Sequence, residues 1–418
     1  MTQFYIKTLV CLFCFLWSGT ISGQTKVRKT VFILVDGIPA DVLETVATPA
    51  LDSLAKAGKY MRSYVGGSKG EYSESPTISA VGYNSLLTGT WANKHNVWDN
   101  DIAAPNYHYP TIFRLLKNQY PAKKIGIFSS WLDNRTKLIG DGLPQTGNIQ
   151  VDYHADGYEL DTIRFPQAKA RDFMHKIDNK VVQETALYIR NQAPDLSWVY
   201  LEYTDDMGHM YGDSKQFYDA VKKMDAQIST IAQAVQYRQK RHNEDWLIVV
   251  TTDHGRDEQT GKDHGGQSYR QRSSWIVTNY PQLNMYAKYY TPGIVDIMPT
   301  IARFMNISMP LEISRELDGT PLTGKISLAE VQVHHFQKKL DVSWKALEKE
   351  GKVKIWVSTT NGFKTGEKDT YTLFAEVPVT SEHASIHTNL PVSSFYKVVL
   401  ESPFNSVTKW VTLEAKQK

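Results

Sequence analysis

Residues 29–37 read KTVFILVDG: an unbroken run of branched and large apolar side chains, Val31 to Val35, that stops at Asp36-Gly37. A strand with one wet face alternates apolar and polar residues, whereas a run that is apolar at every position is covered on both sides. Helices are what cover both faces of a parallel sheet. This one stretch therefore predicts an α/β fold with a carboxylate delivered at the end of a strand.

The same pattern recurs downstream. KKIGIFSSW (123–131), LSWVYLEYTDD (196–206) and DWLIVVTTDHG (245–255) are further apolar runs, and helical spacing fills ALDSLAKAGKYM (50–61), KVVQETALYIRNQ (180–192) and FYDAVKKMDAQISTIAQAVQYRQKR (217–241). The class expected is α/β, a wound, mostly parallel sheet flanked by helices. After about Gly324 the texture changes: KVKIWVSTTNGF, DTYTLFAEVPV, ASIHTNLPV, FYKVVLESPF and VTKWVTLEA are short alternating strands separated by turn residues. They predict a small all-β sandwich resembling a fibronectin type III or immunoglobulin-like module. The expected organisation is a leader at 1–24, an α/β domain at 25–325 and a β-sandwich at 326–418. A length of 418 residues and a hydrophobic fraction of 41% leave room for both folded parts.

Lys7 precedes the apolar run Leu9 to Trp17, and small or polar residues follow to Gly23. That is the layout of a cleavable export signal, so the protein is expected to be periplasmic or secreted, with no stable membrane insertion once the signal is gone. Both cysteines, Cys11 and Cys14, lie inside it. The mature chain then offers neither a disulfide nor a thiolate metal site. The formal charge of +3 falls by one with Lys7, and a near-neutral protein without basic runs is not built to coat nucleic acid.

In open α/β sheets, ligands sit beyond the carboxyl ends of the strands. Asp36 follows VFILV, Asp205 and His209 follow LSWVYLEYT, Asp253-His254 follows LIVVTT, and His264 lies shortly after. Each piece has a plain alternative: Asp36 or Asp253 as a helix or turn cap, and His209 as the partner of Asp205 one helical turn away. Together, three imidazoles and three carboxylates without a thiolate suit zinc, with manganese or iron as alternatives. They are enough for two ions, which can clamp the attacking and leaving oxygens of a displacement at phosphorus.

The stretch SESPTISAVGYNSLLTGTW (73–91) is dense in hydroxyls, and a nucleophile could be among them. Its Leu86 to Gly89, followed by His95-Asn96-Val97, joins Asp36-Gly37, Asp205-x-x-x-His209, Asp253-His254-Gly255, His264-Gly265-Gly266, Asp296 to Thr300 and Asp318-Gly319 in an ordered set. This set resembles the alkaline phosphatase superfamily, in particular its type I phosphodiesterase/nucleotide pyrophosphatase branch. The resemblance covers Thr30 to about Gly324.

The resemblance implies a nucleophile ten residues before Gly89, which is Ser79, with Thr77 as runner-up. It implies two ligand sets: Asp205, His209 and His264 for the ion that activates water, and Asp36, Asp253, His254 and the Ser79 oxygen for the other. Attack by Ser79 would give a phosphoseryl intermediate that water hydrolyses. Asn100, twenty-one residues past Ser79, matches the asparagine that donates to a phosphate oxygen in phosphodiesterases of the branch. Arg135 is a second candidate phosphate contact, and Trp131 in the same loop is a candidate stacking surface. Ser79-Ala80-Val81-Gly82 departs from the threonine followed by Phe-Pro-Asn usual in the branch, which puts nucleotide substrates in doubt.

The expectation is an exported, metal-dependent phosphoric ester hydrolase acting on a small-molecule ester, closest to the phosphodiesterases. A phosphomonoesterase is the alternative within the superfamily. A non-catalytic exported binding protein is the alternative outside it. A sulfatase would need x-Pro-x-Arg after the nucleophile, where this chain has Val81 and Tyr83. His334 and His335 in VQVHHFQ read as surface or interface histidines.

Overall fold

The computed structural model describes residues 25–387 and 393–413. The export signal expected at 1–24, and with it both cysteines, lies outside the described residues. Among the described residues no helix is long and apolar enough to cross a membrane.

Seven strands form one sheet: β1 (Val27–Val35), β2 (Lys59–Tyr64), β3 (Ile125–Ser129), β4 (Tyr153–Ala155), β5 (Leu196–Leu201), β6 (Glu244–Thr251) and β7 (Ser273–Thr278). Their order is β2-β7-β6-β1-β5-β3-β4. The strands from β6 to β4 run parallel, while β7 pairs antiparallel with β6 and β2 antiparallel with β7.

The opening stretch behaves as its sequence requires. Val31, Ile33 and Val35 enter one core, with Val181 and Ile228 from the long helices Asp172–Asn191 and Lys215–Arg241. Phe32 and Leu34 enter the opposite core, with Leu86, Leu116 and Ile301 from the helices Ser79–Thr88, Ile112–Gln119 and Ile297–Phe304. Every residue from Val31 to Val35 is fully buried. One prediction needs correction: the helix expected over 50–61 spans Pro49–Ala57, and Lys59–Tyr64 is the edge strand β2. There Met61 and Ser63 are buried while Arg62 between them is exposed, a two-residue period at the end of what reads as a helical segment.

Beyond the sheet lie β8 (Leu328–Phe336), β9 (Lys339–Ala346), β10 (Lys352–Ser358), β11 (Thr372–Pro378), β12 (His383–His387), β13 (Phe395–Glu401) and β14 (Ser406–Thr412). They form two antiparallel sheets, β11-β10-β13-β14 and β12-β9-β8, around a core that includes Leu340, Trp344, Ile355 and Val398. The small all-β region is thus as expected, with β8 and β9 as additions that the sequence reading did not single out. His334 lies opposite Asp341 in the β8–β9 ladder, and His335 stacks on Tyr396 at 5.4 Å. Among the described residues neither belongs to a group able to hold a metal.

Buried charge joins the two regions. Lys397 of β13, fully buried, lies 2.7 Å from Glu316 and 2.7 Å from Asp369 and sits over the Trp410 ring. Lys94, also fully buried, contacts Asp318 at 2.7 Å and donates to the Glu316 carbonyl. Removing one partner of such a pair leaves an uncompensated buried charge, at about 3–5 kcal/mol. Lys397→Met is expected to lower the unfolding free energy from a urea titration by about 3–5 kcal/mol, and Lys397→Met with Glu316→Gln to recover part of it.

Candidate active site

The parallel strands all point their carboxyl ends at one edge of the sheet, and the expected ligands meet there. Asp36 follows β1, the helix Tyr203–Tyr211 carrying Asp205 and His209 follows β5, and Asp253-His254 follows β6. Two groups form, each with its donor atoms within 4.8 Å of one another: Asp36, Asp253 and His254, and Asp205, His209 and His264. These are the two sets that the sequence resemblance implied.

The first group is fully buried. His254 Nε2 lies 3.2 Å from Asp36 Oδ1, 3.3 Å from Asp253 Oδ2 and 3.2 Å from Ser79 Oγ. Its Nδ1 faces the Gly255 carbonyl at 2.9 Å, an arrangement that holds the proton on Nδ1 and turns the Nε2 lone pair inward. Asp36 Oδ1 and Asp253 Oδ2 are buried and make no hydrogen bond. Burial, reinforced by the Asp36 charge, raises the Asp253 carboxyl well above its ordinary range. Burial alone would lower His254, but Asp253 and Asp36 outweigh it and lift the imidazole to about 9. Two buried carboxylates beside an inward-facing imidazole nitrogen call for positive charge, from a proton on Nε2 or from a metal ion in its place.

In the second group His209 Nε2 lies 3.2 Å from Asp205 and 3.0 Å from His264 Nε2. His264 Nδ1 faces the Thr77 carbonyl at 2.9 Å, so its Nε2 is also left as the lone-pair atom. The His209 Nε2–H can donate to that lone pair, and a cation in place of this proton would be met by both nitrogens. Burial, and then the charge of His254, push His264 down to about 3. The donor sets, oxygen and imidazole without sulfur, fit zinc, manganese or iron.

Ser79 opens the helix Ser79–Thr88 beside the first group and lines one cavity with Asp36 and Asp205. Gly82, one turn on, lets this helix close on the metal side: an added Cβ would sit 2.8 Å from the Asp253 carbonyl and 2.9 Å from its Cβ. The other candidate hydroxyl is committed elsewhere. Thr77 Oγ1 donates to the Gly266 carbonyl and accepts from Gly265 N, which ties down the His264 loop. Asn100 Oδ1 accepts from Ala80 N at 3.0 Å, so its amide nitrogen is oriented with both hydrogens available beside Ser79.

Arg135 does not stand with these residues. Its guanidinium is paired with Asp156 at 2.6 and 3.0 Å and with Asp141 at 2.8 Å, and it is not part of the cavity wall in front of Ser79. The arginine of that wall is Arg171, held between Glu202 at 3.2 Å and Asp206. The remaining motif residues act in support. Asp296 accepts from Gly293 N and Thr320 N, Asp318 accepts from Trp91 N, and His95 lies buried between Ser85 and Val97 N.

Three supporting residues escaped the sequence reading. The hydroxyls of Tyr83 and Tyr200 both donate to Asp36 Oδ2, Tyr200 at 2.7 Å. Tyr83 lies one helical turn past Ser79, the spacing that could have signalled it. Burial, then the Asp36 charge, keep both phenols protonated. Partners of this kind commonly change metal affinity 10- to 100-fold. Tyr83→Phe is expected to weaken metal binding by an amount in that range in a competitive chelator titration. The third residue, Arg256, is fully buried behind Asp205.

Comparison with known proteins places this geometry. A 2,3-bisphosphoglycerate-independent phosphoglycerate mutase of Mycoplasma mycoides subsp. mycoides is 27% identical over 197 residues, 46% of this chain and 35% of that protein. GPI ethanolamine phosphate transferase 3 of Schizosaccharomyces pombe is 26% identical over 143 residues, 33% of this chain and 15% of that protein. The chain spans only a minor part of the length of these relatives. A 2-O GAG sulfatase of known structure superimposes with a TM-score of 0.50 at 12% identity, over 78% of this chain and 82% of that one. Human ectonucleotide pyrophosphatase/phosphodiesterase 5 gives 0.47 at 14% identity, over 68% and 96%. At such identities the likeness is one of fold. Residues 30–289 match the family model described as type I phosphodiesterase/nucleotide pyrophosphatase, and the chain belongs to that family.

Proposed function

We propose that the protein is an exported phosphoric ester hydrolase that cleaves diesters through Ser79, within a catalytic domain at 25–325 followed by a β-sandwich at 326–418. The observation that carries this reading is a serine hydroxyl at a helix N-terminus, 3.2 Å from His254 of the first group and on one cavity wall with Asp205 of the second. Asp36, Asp253 and His254 would hold one divalent cation together with the Ser79 oxygen, and Asp205, His209 and His264 the other, zinc being the best fit. When bound, such ions supply positive charge that lowers the pKa of a hydroxyl and offsets charge on phosphoryl oxygens.

The chain's own residues supply the rest. Ser79 Oγ gives up its proton to solvent and attacks phosphorus, the ester oxygen departs with its bonding pair and takes up a proton, and a phosphoseryl enzyme that still carries the second organic arm remains. The Asn100 amide donates to a non-bridging oxygen as charge builds there, and the helix N-terminus adds its partial positive charge. Water entering from the Asp205 side then attacks phosphorus in line. The serine oxygen departs with its bonding pair and regains a proton, and a phosphate monoester carrying the remaining organic arm is released.

Charge favours diesters over monoesters. A monoester dianion asks for a free cation beside the nucleophile, and Arg171 is already neutralised by Glu202 and Asp206. The purified protein is expected to contain close to two divalent ions per chain and to hydrolyse bis-p-nitrophenyl phosphate faster than p-nitrophenyl phosphate. Chelation should abolish both activities and added zinc restore them. Fewer than one ion per chain, with no activity gained on adding metal, would instead indicate a binding protein.

A further inference from the structure

In front of Ser79 and Asn100 opens a cavity of about 360 Å³. That lies in the range of small-molecule sites and far exceeds what a phosphate group alone occupies, so the organic arm of the ester has room inside it. Its walls are of two kinds. Trp131, Phe173 and Met174 give an apolar face; Phe173 and Met174 are almost fully buried, and Trp131 packs edge-on against Tyr83 at 6.2 Å. Glu159 and Glu202 give an acidic face, and the Arg171 guanidinium on the same wall is paired with Glu202 and Asp206.

The apolar face continues outward. Leu160 lines the mouth and is 68% exposed. An exposed apolar side chain on its own is ordinary, but one at the mouth of a cavity with an aromatic wall extends that apolar face toward solvent.

Resting on the hydrolase reading above, we infer that the substrate is a phosphodiester whose organic arm is a long alkyl or aryl group without further negative charge. An arm of that kind removes water from Trp131 and Leu160 and packs against the edges of Phe173 and Met174. Extra phosphates, as in nucleoside triphosphates, meet the Glu159 carboxyl and find no free cation, because Arg171 is already held by Glu202 and Asp206.

The test compares kcat/KM for methyl, octyl and phenyl p-nitrophenyl phosphates, with the octyl ester kept below its micelle concentration, and for ATP. The octyl and phenyl esters are expected to exceed the methyl ester at least about tenfold, and ATP to be the poorest. Leu160→Ser with Phe173→Ala should compress the octyl-to-methyl ratio about tenfold. Glu159→Gln should raise turnover of ATP relative to the methyl ester. Equal rates on octyl and methyl esters, a ratio insensitive to the Leu160 and Phe173 substitutions, or a preference for ATP would overturn the inference while leaving the hydrolase intact. Absence of turnover on every ester, with both metal groups filled, would instead remove the hydrolase reading on which it rests.

Discussion

Ser79→Ala is expected to lower kcat on bis-p-nitrophenyl phosphate by on the order of 10⁴-fold or more, the scale seen when a covalent nucleophile is removed. Ser79 Oγ stands 3.2 Å from His254 Nε2, at the rim of the Asp36 group, and no neighbouring hydroxyl is free to replace it. Thr77 is bound to the backbone of Gly265 and Gly266, and the Ser85 hydroxyl donates to the Val81 carbonyl. The substitution removes one oxygen and leaves the carboxylates and imidazoles in place. Metal content should therefore hold near the wild-type value, because three protein ligands remain in each group. Acid quenching during turnover should trap a phosphoryl adduct on the wild-type chain, visible by intact mass spectrometry, and none on the variant. A variant that keeps more than about a tenth of the wild-type rate would transfer the nucleophilic role from Ser79 to a water molecule.

The contrast between what the sequence makes legible and what it hides has a physical origin. Val31 to Val35 can only be a strand covered on both faces, so β1 and the parallel strands beside it are readable from composition alone. Asp36, Asp205 and Asp253 are readable because a carboxylate just past such a strand has one place to go, the carboxyl edge of the sheet. Edge elements carry weaker signals: β2 merges with a helical pattern, and β8 alternates polar residues and histidines in a way that reads as surface. Support of the ligands is hidden for a different reason. Arg135 follows a strand and looks free, yet its partners Asp141 and Asp156 fold back onto it from the next loop. Arg256 lies in a charged stretch, DHGRDE, that reads as solvated, while the groups it binds are distant in sequence. Hydrophobic periodicity locates elements, but it carries no record of which buried polar group satisfies which.

Arg256 yields the second large effect. Its Nε donates to the Gly37 carbonyl at 2.9 Å, Nη1 to the Lys262 carbonyl at 2.8 Å, and Nη2 to the Asp205 carbonyl at 2.9 Å and to the Asp205 carboxylate, while the guanidinium lies over Phe217. One rigid fork thus joins the turn after β1, the ligand helix and the loop leading to His264. The turn itself admits no bulk, since Gly37 has φ +68° and an added Cβ would come 2.5 Å from Asp205 Oδ1. Burial would raise Asp205, but Arg256, and then the histidines, hold its carboxyl well below the usual range. Arg256→Ala should therefore cost about 3–5 kcal/mol of stability, as when one partner of a buried pair is lost. Lysine keeps the charge without the fork, cannot reach three carbonyls at once, and should recover only part of this. The measurement that separates support of the site from support of the fold is metal occupancy at a temperature where the variant is folded. Occupancy should fall from two ions toward one, with excess zinc restoring part of the activity, because Asp205 is free to turn away while Asp36, Asp253 and His254 keep their own partners. An unchanged unfolding midpoint together with full occupancy would mean that the ligand helix holds Asp205 in place unaided.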